Sequence, residues 1–242
     1  MSARGKAAGN AVVTGCDYGL GADLVREALR RGYRVFAGCL RPSRAREMRR
    51  LERIHPGRLA AFKVDMSSET GIRKAAAGIR RKITKLDLLI NNAGICFYDR
   101  LDKLNFRDFQ RMFAVNAFGP ACFARHLHPL LRAAGRAKIV NISSEAGSLA
   151  KTTSHRTIYA YGASKAALNM LSRRMAAELA KEGISVLAVH PGWMRTPMGY
   201  MGGKNPAQDP ADSARDIFKL ADRLSVATTG RFFDHRGPRF PW

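Results

Sequence analysis

The chain has 242 residues, of which 46% are hydrophobic, so it is long enough to bury a core as one domain covering residues 1–242. No apolar run approaches the ~20 residues needed to span a bilayer, and the start of the chain lacks the apolar centre of a secretory signal, so we expect a cytoplasmic protein without membrane contact. The net charge of +23 attracts anions, but the basic residues are spread along the chain and match no nucleic-acid-binding module, which argues against a specific nucleic-acid partner.

Short apolar runs alternate along the chain with longer segments of helical periodicity. Strands are predicted at residues 11–13, 33–40, 59–64, 86–90, 138–142, 184–189 and 230–234. One helix is predicted directly after the glycines at 15–21, and a second, basic helix follows the strand at 33–40 and ends at residue 53. Further helices are predicted at 67–82, 105–131, 160–181 and 210–224. This alternation predicts an α/β fold, a doubly wound parallel sheet of the Rossmann type in a single domain. The irregular stretch 191–210 follows the carboxyl end of a strand, so it is predicted to be a substrate lid.

Three glycines mark the first turn from strand to helix. The segment Thr14-Gly15-x-x-x-Gly19-x-Gly21 follows a short apolar strand, and from Leu20 onward apolar residues recur at helical spacing. A glycine turn in this position lets the backbone N–H groups at the helix N-terminus face a pyrophosphate. We interpret the segment as a dinucleotide-binding turn rather than an ordinary tight turn.

A tyrosine and a lysine are spaced to carry acid–base chemistry. Tyr161 and Lys165 are four residues apart, which puts both on one face of a helix. A phenol titrates near pH ~10, and an adjacent ammonium favours the phenolate, so Lys165 is expected to lower the pKa of Tyr161. With a serine hydroxyl holding a carbonyl oxygen, this group can pass a proton to or from an oxygen whose carbon exchanges a hydride.

Several motifs, in register over nearly the whole chain, resemble those of the short-chain dehydrogenase/reductases. They are the glycine turn, Asn91-Asn92-Ala93-Gly94, Asn116, Ser144, Tyr161-x-x-x-Lys165 and Pro191-Gly192. The C-terminal run at 229–242 is similar to the ending of the C-factor/sniffer-like carbonyl reductase branch of that family.

The resemblance implies a role for each motif. Tyr161 would be the general acid in reduction and the base in oxidation, Ser144 would orient the substrate oxygen, and Lys165 would also hold the nicotinamide ribose. Asn116, the fourth catalytic residue, would lie in a locally distorted helix. Besides Tyr161 and Lys165, the implied cofactor contacts are Thr14, Gly15, Tyr18, Gly19, Leu20, Arg41, Asp65, Met66, Asn92, Ala93, Gly94, Pro191, Gly192 and Thr196.

Three of these positions have a rival interpretation. Ser143 competes with Ser144, because the interval from the serine pair to the tyrosine is longer than is usual in the family and implies a loop insertion within 151–157. Asp65 resembles the aspartate that accepts a hydrogen bond from the adenine amino group, but it also suits a helix cap. Thr196 fits a nicotinamide contact and an ordinary loop threonine equally well.

The segment after the second strand favours NADP(H) as the cofactor, with NAD(H) as the alternative. Enzymes that bind NAD often place an acidic residue ~20 residues after the glycine turn, where it accepts hydrogen bonds from the adenosine ribose. Here no Asp or Glu occurs between Glu27 and Glu47, and Cys39 ends the strand. Arg41 is close enough behind to form charge-assisted hydrogen bonds with a 2′-phosphate.

The combined prediction is an oxidoreductase that transfers a hydride between NADP(H) and a small-molecule carbonyl or secondary alcohol, preferably as a reductase. The alternatives are an NAD-dependent alcohol dehydrogenase and a dinucleotide-binding regulatory or signalling protein with incidental turnover. The family commonly pairs through the helices that lie here at 105–131 and 160–181, so we expect a homodimer or homotetramer. The six histidines and four cysteines show no ligand spacing, so no metal is expected, and His190 is interpreted as structural.

Overall fold

In the computed structural model, which describes residues 9–151, 158–201, 203 and 205–242, seven apolar segments form one parallel sheet. The strands are β1 (Asn10–Thr14), β2 (Arg34–Cys39), β3 (Leu59–Lys63), β4 (Leu88–Asn91), β5 (Lys138–Ile142), β6 (Ser185–His190) and β7 (Arg231–Asp234). Their order across the sheet is β3-β2-β1-β4-β5-β6-β7. All seven predicted strands are present, and their order confirms the doubly wound α/β fold in a single domain.

Helices connect the strands and cover both faces of the sheet. They are α1 (Leu20–Arg30), α2 (Arg46–Ile54), α3 (Glu69–Arg80), α4 (Phe106–Phe113), α5 (Gly119–Ala133), α6 (Tyr159–Leu179), α7 (Pro197–Tyr200) and α8 (Pro210–Arg223). The predicted lid at 191–210 thus contains the short helix α7. Within the described part of the chain, no helix combines the length and the apolar character that crossing a membrane requires.

The strands read as continuous apolar runs because both faces of the sheet are buried. Successive strand residues point to opposite sides. In β1, Ala11 and Val13 belong to the core under α1 and α8, whereas Val12 belongs to the core under α3 and α5. Phe218 of α8 and Phe123 of α5 are fully buried on these two sides.

The long helix predicted at 105–131 is divided by a π-helical turn. Asn105 caps α4, because its side-chain oxygen accepts hydrogen bonds from two amides of the first turn. The π turn covers Ala114–Phe118, and α5 begins directly after it. Pro120, in the first turn of α5, has no N–H to donate to the π turn that precedes it. The chain therefore continues in one direction through α4 and α5 with a local distortion between them.

The strand order changes direction between β1 and β4. From β1 the sheet grows towards β2 and β3 on one side, and from β4 it grows towards β7 on the other. The loops that leave the carboxyl ends of β1 and β4 therefore diverge, and a crevice opens between them. The glycine turn follows β1 and the Asn92–Gly94 segment follows β4, so both motifs meet at this crevice.

Candidate active site

A large cleft lies at the carboxyl ends of the strands. It encloses about 1230 Å³, more than the ~300–1,000 Å³ usual for ligand pockets, so it has room for a dinucleotide together with a substrate. Nearly all of the predicted site residues line it, the exceptions being Thr14 and Asn116. Those lining it are Gly15, Tyr18, Gly19, Leu20, Arg41, Asp65, Met66, Asn92, Ala93, Gly94, Ser144, Tyr161, Lys165, Pro191, Gly192 and Thr196.

The glycine turn has no space for side chains. Gly15 and Gly19 have φ angles of 71° and 61°, a conformation that suits glycine. A Cβ atom on Gly21 would overlap the carbonyl oxygen of Gly15 and lie 2.7 Å from Nδ2 of Asn92. The amides of Ala22 and Asp23 donate to the carbonyl oxygen of Gly19, and no side chain caps α1. The amides of Leu20 and Gly21 at the start of α1 are therefore the ones that can face a pyrophosphate. The cradle formed by the chain's own backbone fits a dinucleotide.

Thr14 is placed behind the cleft rather than in it. Its side chain is fully buried, and its Oγ1 accepts hydrogen bonds from the amides of Asn92 and Ala93 at 3.1 Å each. Nδ2 of Asn92 donates in turn to the carbonyl oxygens of Thr14 and Gly15. In the structure Thr14 thus joins the loops that follow β1 and β4, and its predicted cofactor contact stays a prediction.

Asp65 lines the cleft and does not cap α3. Ser68 is the cap, because its Oγ accepts a hydrogen bond from the amide of Gly71 at 3.1 Å. The Asp65 carboxylate instead accepts hydrogen bonds from the amide and the hydroxyl of Ser67, at 2.9 and 2.6 Å. The helix-cap interpretation is excluded, and the adenine contact stays a prediction.

The segment after β6 lies against the glycine turn. Thr196 caps α7, since its Oγ1 accepts a hydrogen bond from the amide of Gly199 at 3.2 Å. Its methyl group would lie 3.3 Å from a Cβ atom on Gly19, so it also borders the cleft. Nε1 of Trp193 donates to the carbonyl oxygen of Gly199 at 2.9 Å and holds the start of the lid. Thr196 thus caps α7 and lines the cleft, and its nicotinamide contact stays a prediction.

Ser144, rather than Ser143, lies beside Tyr161. The side chains of Ser144 and the half-buried Tyr161 are hydrogen-bonded to each other. Ser143 points into the interior, where its hydroxyl donates to Oδ1 of Asn169 at 2.6 Å. The predicted loop insertion at 151–157 falls, except for its first residue, outside the described residues.

The protonation of the tyrosine and lysine differs from the sequence expectation. Burial raises the pKa of Tyr161 above its ordinary value, and the hydrogen bond with Ser144 does not offset this effect. Burial lowers the pKa of Lys165 to about 8. Nζ of Lys165 donates to the carbonyl oxygen of Ile142 at 2.8 Å and lies 5.7 Å from the centre of the Tyr161 ring. The expected lowering of the Tyr161 pKa is therefore wrong, and the phenol keeps its proton at neutral pH.

Asn116 lies inside the π turn, so the helix distortion implied by the family resemblance is present. Its Oδ1 accepts a hydrogen bond from the amide of Ile95 at 2.8 Å, and its Nδ2 donates to the carbonyl oxygen of Ile95 and to Oγ of Ser164. A Cβ atom on Gly94 would lie 3.4 Å from Oδ1 of Asn116 and 3.5 Å from Nζ of Lys165. Asn116 therefore fixes the loop after β4, which passes beside Lys165, and its catalytic role stays a prediction.

His190 connects the Ser144 loop to the C-terminal segment. Its Nδ1 accepts a hydrogen bond at 3.1 Å from the amide of Glu145, the residue after Ser144. Its carbonyl oxygen accepts a hydrogen bond from the amide of His235 at 2.9 Å, and its ring packs against Phe240. The structural interpretation of His190 holds, but sequence reasoning missed the link to the serine loop because the partners are 45 residues apart.

Because of His190, the free energy of unfolding should decrease as the pH falls from about 7.5 to 5.5. Burial lowers the pKa of His190 in the folded protein, whereas an unfolded histidine titrates near ~6.5. The unfolded chain therefore binds the proton first, so the stabilisation is complete above pH ~6.5 and is lost as the pH falls towards the lowered pKa. Urea unfolding at the two pH values measures this loss. In His190→Asn the side-chain oxygen can still accept the hydrogen bond from the Glu145 amide, but it does not titrate. This variant should lose less free energy of unfolding between the two pH values. Equal losses in both proteins would show that His190 does not cause the pH dependence.

A cluster of metal-ligand side chains lies away from the cleft, although the sequence spacing predicts none. Cys122 and His126 stand one turn apart on α5, and Glu69 of α3 adds a carboxylate, with ligand atoms within 4.8 Å of one another. Arg125 donates to Glu69 at 2.9 Å and contacts Nε2 of His126 at 3.2 Å. A guanidinium that contacts two of the three groups opposes a cation there, and none of the three lines the cleft.

The chain matches known proteins over most of its length. The sequence profile described as short chain dehydrogenase matches residues 9–205. The protein named C-signal from Myxococcus xanthus is 39% identical over 158 residues, which are 65% of this chain and 93% of that protein.

Two solved structures share the fold along nearly the entire chain. The NADPH-bound carbonyl reductase from chicken fatty liver is 32% identical, with a TM-score of 0.90 over 96% of this chain and 98% of that one. The carbonyl reductase Sniffer of D. melanogaster is 27% identical, with a TM-score of 0.90 over 98% of this chain and 100% of that one. These likenesses confirm the resemblance to the sniffer-like branch. The chain belongs to the short-chain dehydrogenase/reductase family of oxidoreductases.

Proposed function

We propose that the protein reduces a ketone or an aldehyde at the expense of a nicotinamide dinucleotide, with Tyr161 as the proton donor. The hydrogen bond between Tyr161 and Ser144, next to the buried Lys165, carries this proposal. A nicotinamide dinucleotide, when bound, supplies the hydride. Ser144 orients the substrate oxygen, and the Tyr161 hydroxyl donates its proton to that oxygen. The Lys165 ammonium then stabilises the tyrosinate that is left.

The protonation of the site supports the reductive direction. Burial raises the pKa of Tyr161, so the phenol is the form present at neutral pH. A reductase needs this protonated form, whereas alcohol oxidation needs the tyrosinate as a base. The same burial lowers the pKa of Lys165 to about 8, so its ammonium still predominates at pH 7.

NADP(H) is the proposed cofactor, with NAD(H) as the alternative. Arg41 is exposed and lines the cleft at the end of β2, on the side where the adenosine ribose lies in this fold. Burial raises the pKa of Cys39 to about 12, so the thiol that ends β2 carries no charge that would repel a 2′-phosphate. The carbonyl reductase from chicken fatty liver, which shares the fold, was solved with NADPH.

A substrate screen that follows NADPH absorbance tests the reaction class. The native protein, with a panel of aldehydes, ketones and quinones, should consume NADPH with at least one of them. Tyr161→Phe in the same panel reports consumption that does not depend on the proposed proton donor. No consumption by the native protein above the level of this variant would contradict the proposal.

The name of the C-signal relative supports a second candidate, a dinucleotide-binding signalling protein. The complete set of Asn116, Ser144, Tyr161 and Lys165 argues against a purely regulatory role, because such a role does not need an acid–base pair in a substrate-sized cleft. Tight dinucleotide binding without turnover in the screen would favour the signalling candidate.

We infer a homodimer or homotetramer formed through α6 and through the helical segment made of α4, the π turn and α5. Three apolar residues at helical spacing on α6 do not provide this interface, because Leu168 is 1% exposed and Met175 and Leu179 pack against the core. Phe118 and Met170 on these helices are instead exposed, by 60% and 62%. Burying such side chains between subunits removes apolar surface from water.

Light scattering should therefore give a mass of at least twice 26.7 kDa. Phe118→Asp should shift the protein towards the monomer, because the interface would then bury an unpaired charge. Ile54→Asp, at an exposed apolar position at the end of α2, is the matched control and should not change the mass. A native mass of 26.7 kDa at micromolar concentration would refute the assembly.

A cytoplasmic location completes the proposal. Cys16, Cys39 and Cys122 carry free thiols, which suits a reducing compartment.

A further inference from the structure

A carboxylate lies at the end of β2, although the sequence has no acidic residue there. It belongs to Asp17, which comes from the glycine turn. Its two oxygens accept hydrogen bonds from the amides of Leu40 and Arg41, at 2.9 and 3.0 Å. Asp17 and Arg41 line the same part of the cleft. A carboxylate from the glycine turn thus lies just beyond the end of β2, the strand that carries the acidic residue in many NAD-binding enzymes.

The two amides bound by Asp17 matter for anion recognition. Consecutive backbone N–H groups in a turn form a concave site for an anion such as phosphate. Here the oxygens of Asp17 already accept both hydrogen bonds, so a 2′-phosphate at this place would compete with a carboxylate and be repelled by its charge. A ribose hydroxyl, in contrast, can donate a hydrogen bond to the same carboxylate.

Besides burial, the negative charge of Asp17 raises the pKa of two neighbouring thiols. Burial raises the pKa of the Cys39 thiol to about 12, and the negative charge of Asp17 adds to this effect. Burial likewise raises the pKa of Cys16, to which the charge of Asp17 also contributes. Among the described residues that line the cleft, Arg41 is the basic residue at the end of β2. The Arg41 guanidinium and the Asp17 carboxylate would therefore both lie near the adenosine ribose of a bound dinucleotide.

We propose that Asp17 is a specificity-determining residue that opposes the 2′-phosphate and offsets Arg41, so that the protein binds both dinucleotides with a limited preference for NADP(H). This inference rests on the proposed function, since it assumes that a nicotinamide dinucleotide fills the cleft. The preference between NADP(H) and NAD(H) is then set by two opposite charges 24 residues apart, Asp17 and Arg41, and not by Arg41 alone.

Calorimetric titration of the protein with NADP⁺ and with NAD⁺ measures this balance without turnover. The quantity compared is the ratio of the two association constants. Asp17→Asn should raise the ratio in favour of NADP⁺ on the order of tenfold, which corresponds to a charge interaction between the limits for water and for a protein surface. Arg41→Ala should lower it by a similar factor. Asp17→Ser, with a smaller neutral acceptor, should act like Asp17→Asn if the charge decides the ratio.

Asp99→Asn is the matched control. The Asp99 carboxylate also accepts hydrogen bonds from two successive amides, those of Tyr159 and Ala160, at 2.7 and 3.0 Å. It lies at the start of α6 and not at the end of β2, so its neutralisation should leave the ratio unchanged. A ratio unmoved by both neutral Asp17 variants, with both dinucleotides still bound, would overturn the inference alone. Failure of the native protein to bind either dinucleotide would overturn the proposed function as well.

Discussion

Replacing Tyr161 by phenylalanine is expected to lower kcat about 10²–10⁴-fold, the usual contribution of general acid–base catalysis. The substitution removes the hydroxyl that is hydrogen-bonded to Ser144 and keeps the ring that packs near Lys165. Dinucleotide affinity should therefore stay within a few fold of the native value, because the ring and the lysine still shape the nicotinamide side of the cleft. Steady-state rates with a substrate from the screen, together with calorimetric dinucleotide affinities, check both parts.

Tyr159→Phe is the matched control for this experiment. Tyr159 is in the same helix, but the residue four positions on is Ala163, so the removal of its hydroxyl breaks no tyrosine–lysine pair. Its kcat should remain near the native value. Near-native turnover by Tyr161→Phe would eliminate Tyr161 as the proton carrier, and equal losses in both variants would indicate a general disturbance of α6.

The sheet could be predicted because its physical cause is local. A parallel strand covered by helices on both faces buries every side chain, which leaves a short uninterrupted apolar run in the sequence. β1 and β4 show this pattern, and the strand bounds agree with the predicted ranges to within a few residues. The π turn at Ala114–Phe118 could not be read from periodicity, because it depends on how Asn116 binds the backbone of Ile95 in another loop.

The candidate site was predictable where a motif occupies the end of a strand and was missed where two distant segments meet. The glycines after β1 and the Tyr161–Lys165 pair are visible as patterns, and the topology brings them together. Asp17 contacts Leu40 and Arg41, which are 23 and 24 positions further along the chain. No spacing rule predicts this contact from the sequence. The pKa of Tyr161 was also predicted in the wrong direction, because sequence spacing shows the nearby lysine but not the burial of both groups.

Replacing Gly21 by alanine is expected to destabilise the protein and to weaken dinucleotide binding by at least about tenfold. The added Cβ atom would overlap the carbonyl oxygen of Gly15 and crowd Nδ2 of Asn92, which links the loops after β1 and β4. Gly21 is in α1, where alanine has the higher helix propensity by ~0.5–1 kcal/mol, but overpacking at a tightly packed position costs ~1–3 kcal/mol. The steric cost is therefore larger, and relief of the overlap must displace the turn that faces the pyrophosphate.

Gly78→Ala supplies the matched control, because Gly78 is also helical and differs from Gly21 in its surroundings. An added Cβ atom in α3 would meet only the end of the Arg81 side chain, at 3.9 Å. This variant should be stabilised by about 0.5–1 kcal/mol and should bind dinucleotide like the native protein. Urea unfolding and calorimetric titration of the two variants check the pair of expectations. A Gly21→Ala protein as stable as Gly78→Ala and equally able to bind dinucleotide would show that the turn tolerates a side chain, and the backbone cradle proposed for the pyrophosphate would then be wrong.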